Sequence, residues 1–132
     1  MGGVAVFKPK TAFSGFSVND LAITRKFYAD TLGLQVETEG IGLRLHLPSA
    51  GTVFAYPKRD HQPAAFTILN FVIDNIDEAV DDLKNRGINF ERYQGAPQDE
   101  RGIMRKHGPA IAWFKDPSGN ILSVIEDSTK RT

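Results

Sequence analysis

"FSVNDLAITRKFYADTLGLQVETE" (residues 16–39) and "FVIDNIDEAVDDLKNRGINFERY" (residues 71–93) read as one unit written twice. Each holds a short apolar strand, an Asn/Asp pair, an amphipathic helix, a glycine stop and the start of a second strand. Leu21 aligns with Ile76 and Gly33 with Gly87, the two offsets differing by a single residue of helix. Self-similarity of this kind marks a duplicated structural unit.

The local chemistry of each copy is consistent with that reading. In the second, Ile76, Ala79, Val80 and Leu83 fall at helical spacing and form one apolar stripe. Asn75 is placed to cap the helix, with Glu78 three residues on as a reciprocal partner. Asp77 and Glu78 lie at the positive end of the helix dipole, Lys84 and Arg86 near the negative end. In the first copy Leu21, Phe27, Tyr28 and Leu32 supply the buried face, with Asn19 or Asp20 as cap. Gly33 and Gly87 then end the two helices.

Strands follow each helix. "LQVETE" and "GLRLHL" alternate apolar and polar residues, and "TVFAYP" comes after the turn "PSAG". The second half supplies "INFERY", a long polar loop, "AIAWFKD" and "ILSVIED". Between the last two, Asp116-Pro117-Ser118-Gly119-Asn120 has the residues of a tight turn. The order predicts an α+β fold of two βαβββ modules, about residues 12–57 and 66–127, joined by the linker 58–65.

The bulk composition narrows the function. Sixteen basic and sixteen acidic side chains cancel, which leaves no electrostatic footprint for nucleic acid. No segment approaches the run of about 18 apolar residues that spans a bilayer. The opening "MGGVAVFKPK" has neither the charged and apolar regions of a secretory signal nor Ser/Thr at position 6 for myristoylation. Cysteine is absent, which fits a reducing cytoplasm and removes disulfides, thiolate nucleophiles and zinc–thiolate sites. No Ser/His/Asp, phosphate-loop or dinucleotide pattern can be argued from spacing.

With the repeat established, "SVNDLAITRKFYADTLGL", "FVIDNIDEAVDDLKNRGINFE" and "FKDPSGNILSVIED" resemble the vicinal oxygen chelate superfamily, the glyoxalase, bleomycin-resistance and extradiol-dioxygenase group. The resemblance implies two half-barrels that enclose a cavity, with helices outside, and members that commonly form homodimers. It also implies where the metalloenzymes of the group hold their ion: on the first and last strands of each copy, mostly through His and Glu. Here those positions fall on Phe13, Ile68 and Ser123, with the fourth somewhere in Val53–Tyr56. An aromatic ring, an aliphatic chain and a neutral hydroxyl do not suit zinc, iron or manganese. The inherited metal site therefore reads as lost, and no cofactor is expected.

The same resemblance turns Ser123 toward the cavity and, by the period of a strand, Leu122 and Val124 toward the core. Asn70, two residues after Ile68, shares its face. Arg44 and His46 lie opposite Leu43, Leu45 and Leu47; either they look into the cavity and hold an anionic or carbonyl-bearing ligand, or they form a solvated strand face. Tyr56 and Trp113 add aromatic candidates. The expected ligand-binding set is thus Phe13, Ile68, Asn70, Ser123, Arg44, His46, Tyr56 and Trp113, in a mainly apolar pocket for a small molecule. Two alternatives stand beside it. One is a metal-dependent lyase, isomerase or dioxygenase drawing displaced ligands from His46, His61, His107, Glu39 or Asp99. The other is a stress or interaction protein whose cavity has filled. The loop 94–108 reads either as a lid or as a mobile insertion.

Overall fold

The computed structural model describes residues 6–129. Residues 1–5, half of the opening stretch read above for a leader or lipid anchor, lie outside the described residues.

The first copy runs β1 (Ser14–Val18), α1 (Leu21–Lys26), a widened π-helical turn (Phe27–Thr31), β2 (Gln35–Glu39), β3 (Gly42–His46) and β4 (Thr52–Pro57). The second runs β5 (Thr67–Ile73), α2 (Ile76–Asn85), β6 (Ile111–Lys115) and β7 (Ile121–Glu126). The chain forms two mixed sheets, β1-β4-β3-β2 and β5-β7-β6. In each, the first strand lies parallel to the last (β1 with β4, β5 with β7), and the remaining pairs are antiparallel. This is the α+β architecture of two βαβββ-type modules. No helix among the described residues is long and apolar enough to cross a membrane.

Capping chemistry starts both helices. Asp20, rather than Asn19, accepts from Ile23 N–H at 2.9 Å, and Asn75 accepts from Glu78 N–H at 3.1 Å. A further α2 amide, Ile76 N–H, is taken by Glu126 Oε2 from β7 at 3.0 Å, which locks the helix to its sheet. Gly33 and Gly87 end the helical segments at φ 77° and 94°, a region costly for residues with a Cβ.

The segment "INFERY" pairs far less than its alternation predicts. Phe90 makes an isolated bridge to Phe114, and Glu91 N–H reaches Trp113 O at 2.8 Å. A side chain explains the interruption. Gln98 Oε1 accepts from Tyr93 N–H at 2.7 Å, and its Nε2 donates to Glu91 O at 2.9 Å and Gly102 O at 2.8 Å. One carboxamide thus takes backbone groups that a ladder would have used.

The loop 94–108 is folded. Asp99 Oδ1 accepts from Arg101 and Ile103 N–H, Ile103 is buried, and Met104 exchanges two backbone hydrogen bonds with Ile111. Arg101 pairs with Asp77 and Asp81 on α2, and Arg105 also pairs with Asp77. The acidic first turn of α2 therefore anchors the loop, and these arginines are held by protein carboxylates.

A polar clamp fastens the modules together. Tyr28, wholly buried, donates from Oη to Asp116 Oδ2 at 2.7 Å. Asp116 Oδ1 accepts from the backbone of Ser118 and Asn120, whose Nδ2 donates to Asp116 Oδ2 and to Ser17 O. Asn19 N–H donates to Ser118 Oγ at 2.9 Å. The tight turn between β6 and β7 thus serves as the joint between the two halves. Burial, then the charge and hydrogen bond of Asp116, push the Tyr28 hydroxyl far above the usual tyrosine range.

Two outcomes follow. Tyr28→Phe should cost about 1.5–3 kcal/mol in urea unfolding, the range for a hydrogen bond to a charged partner. Because folding raises the Tyr28 pKa, its contribution is complete below the ordinary tyrosine value of about 10 and declines as pH rises past it. Wild type should therefore lose stability above that pH more steeply than Tyr28→Phe, measured by urea midpoints across the alkaline range.

Candidate functional site

Strand alternation sorts each sheet into a helix-backed face and an open face. Phe16, Val18, Leu43, Leu45, Val53 and Ala55 are buried against the helices. Their neighbours Ser17, Arg44, His46, Phe54 and Tyr56 are half-buried on the opposite face.

On the first sheet the structure gathers Phe13, Arg44, Phe54 and Tyr56. The Arg44 guanidinium lies 4.5 Å from the Phe13 ring centroid and 5.2 Å from that of Phe54. The Phe54 and Tyr56 rings stack at 6.3 Å. Arg44 also donates through Nε to Glu39 Oε1 at 3.1 Å, through NH2 to Glu39 Oε2, and through NH1 to Thr52 at 3.4 Å. Its hydrogen bonds and charge hold the Glu39 carboxyl below the usual carboxylate range. Arg44 therefore presents a ring-flanked, ion-paired group to this face. His46 Nε2 sits 3.3 Å from Glu37 Oε1 but lacks an aligned hydrogen bond.

The patch depends on Gly42. A Cβ there would lie 2.4 Å from Ala55 O and 2.7 Å from Phe54 Cζ, so the Phe54 ring occupies the space of the missing side chain.

On the second sheet Asn70, Ser123 and Trp113 are register partners across β5, β7 and β6. Ser123 has no exposed surface, and its hydroxyl donates to Asn70 Oδ1. That bond offsets the cost of an alcohol within an apolar strand. Trp113 Nε1 donates to Thr67 Oγ1 at 3.1 Å, and Tyr93 meets the indole edge-on at 5.5 Å. Burial first, and the Glu91 charge second, raise the Tyr93 hydroxyl pKa.

Ile68 is displaced from that row. The β5–β7 register shifts between Thr67 and Leu69, which places Thr67 opposite Ile121. Ile68 packs against the core and lines a pocket of about 360 Å³ at the seam between the modules. Ser17, Val53, Gln62, Phe66 and Asn120 share that pocket.

Thr67 and Tyr93 escaped sequence reasoning, and His61 entered it only as a displaced metal ligand, not as the partner of Ser17. A one-residue bulge carries no local signal that could have named Thr67. Tyr93 lay at the end of an alternating run, the one hint of its position. His61, 44 residues from Ser17 in sequence, is met only through tertiary folding: its Nδ1 lies 2.6 Å from Ser17 Oγ and its Nε2 2.9 Å from Ser118 O.

The residues do not fit a divalent cation at the three strand positions named above. Phe13 and Ile68 have no donor atom, and Ser123 is turned to Asn70. Among the described residues no group of three or more His, Cys, Asp or Glu side chains could hold a metal ion. Glu39 serves Arg44, Asp99 serves its own loop, and His61 is engaged at both nitrogens.

A family model described as the Glyoxalase/Bleomycin resistance protein/Dioxygenase superfamily matches residues 11–124. The chain belongs to this superfamily. Among solved structures, a member from Sphaerobacter thermophilus superposes with a TM-score of 0.69 at 23% identity, covering 91% of this chain and 98% of that one. TnmS3, an antibiotic binding protein from Streptomyces sp. CB03234, gives 0.64 at 20% identity, covering 92% and 100%. The oxidase ChaP-H2 gives 0.62 at 19% identity, covering 92% and 95%. Comparison with curated proteins produced no match. The fold is thus shared by a binder and an oxidase, and the side chains of the site must separate the two.

Gly42→Ala should lower stability by about 1–3 kcal/mol, the cost of overpacking, and displace Phe54. Thermal unfolding read beside the near-ultraviolet circular dichroism of the aromatic patch checks both.

Proposed function

We propose that this superfamily member binds a small, partly aromatic molecule without a metal, between the open faces of its two modules. The observation that carries the reading is the character of those faces. Phe13 remains 58% exposed beside Phe54 and Tyr56, while the second sheet sets Asn70, Ser123 and Trp113 in one row. Apolar rings with a few placed polar groups are the usual lining of a ligand pocket. TnmS3, which has this fold, is described as an antibiotic binding protein, and that supports the same branch of function here.

The roles divide by chemistry. Phe13, Phe54 and Tyr56 offer flat apolar surface, stiffened by Arg44. Asn70 has its amide N–H groups for a carbonyl or hydroxyl oxygen, because its Oδ1 is taken by Ser123. Ile68 and the seam pocket accept an apolar extension. With Arg44 paired to Glu39, the face favours a neutral ligand over an anion. In a homodimer, the second copy would roof this face.

Trp113 is the chain's single tryptophan, so its fluorescence reports on the site. A planar aromatic ketone such as 2-acetylnaphthalene should quench it saturably, and Phe54→Ala should weaken that binding about tenfold, about 1.4 kcal/mol. Protein purified without a nickel column should carry far less than one equivalent of transition metal. Stoichiometric zinc, iron or manganese, with turnover lost to a chelator, would replace binding by a metalloenzyme reading.

A further inference from the structure

We propose that Ser17 is a nucleophilic serine, activated by His61, at the wall of the seam pocket. The inference goes beyond ligand binding but rests on that pocket receiving a small molecule.

Three observations meet there. Ser17 Oγ lies 2.6 Å from His61 Nδ1. The other ring nitrogen, Nε2, lies 2.9 Å from Ser118 O. A carbonyl oxygen only accepts, so Nε2 carries the proton of the neutral ring and Nδ1 turns its lone pair to the Ser17 hydroxyl. This supplies a nucleophile, a base in the competent tautomer and a group that orients the base. Ser17 itself lines the pocket of about 360 Å³, whose wall includes Phe16, Val53 and Phe66. Gln62, a neutral amide with N–H groups to offer an acyl oxygen, lines this mixed polar and apolar pocket too.

The chemistry that fits is acyl transfer from a small ester with an apolar group. Ser17 Oγ bonds to the acyl carbon as its proton passes to His61 Nδ1. The bond from that carbon to the leaving oxygen then breaks, and the departing alcohol takes the proton from Nδ1. Water next adds to the acyl-serine, giving its proton to Nδ1. Collapse releases the carboxylic acid and returns the proton to Ser17 Oγ.

The same hydrogen bonds would also arise if His61 merely pinned residues 58–66 to β1, so the test must read reactivity. On the full chain, a fluorophosphonate probe should modify Ser17, mapped by mass spectrometry, and p-nitrophenyl acetate should be turned over. Ser17→Ala should abolish both, and His61→Gln should slow both about 100-fold or more. Because the chain has no cysteine, Ser17→Cys creates a single thiol while leaving His61 in place. That thiol should ionise below the ordinary value of about 8.5, read from iodoacetamide rates against pH, and His61→Gln in that background should restore the ordinary value. An unmodified Ser17, or a Ser17→Cys thiol indifferent to His61, overturns the proposal. Saturable quenching of Trp113 without acylation overturns it and leaves small-molecule binding standing; absence of both overturns both.

Discussion

The hydrogen bond from Tyr28 to Asp116 spans 88 residues and joins the helix of one module to the last turn of the other. Both partners are buried, so neither can exchange the other for water without a large desolvation cost. The remaining polar atoms of the turn are drawn in around it: Ser118 and Asn120 bind Asp116, and through Asn19 and Ser17 they hold the end of β1. The position of the two sheets relative to each other follows from this joint.

That relative position creates the seam. β1 and β5 are each the outer strand of their sheet, and both contribute to the pocket at the junction. His61 reaches Ser17, which lines that pocket, because residues 58–66 fold back onto the same turn, touching Ser118 and Ser17. Stability and the proposed reactivity therefore meet at one place. Ser17 and Asn120, which help hold the modules together, also line the pocket between them. The open faces lie outside this joint and are set by a different constraint, the absence of a side chain at Gly42 and the bond between Ser123 and Asn70.

Much of the fold was legible in the chain because its signals are local. Helix spacing, a cap three residues from its amide and a glycine at a helix end act within one or two turns, and the capped, glycine-terminated α2 formed as read. "INFERY" had the alternation of a strand, yet Gln98 captured its backbone; alternation reports a preference, not the competitor that removes the partner. The loop 94–108 looked like a lid or an insertion until Arg101 and Arg105 met the acidic turn of α2. Asp77, read from the sequence as complementing the helix dipole, serves both purposes.

The site divides along the same line. Sequence alone determined the duplicated architecture, the alternation that separates core from open face, and the unsuitability of Phe13, Ile68 and Ser123 as ligands for a cation, since each follows from residue type and short-range period. Only the tertiary structure decided that a bulge moves Ile68 to the seam and brings Thr67 beneath Trp113, that Arg44 is neutralised by Glu39, and that His61 stands beside Ser17. Such contacts depend on the difference between competing long-range partners, and no stretch of chain carries that difference by itself.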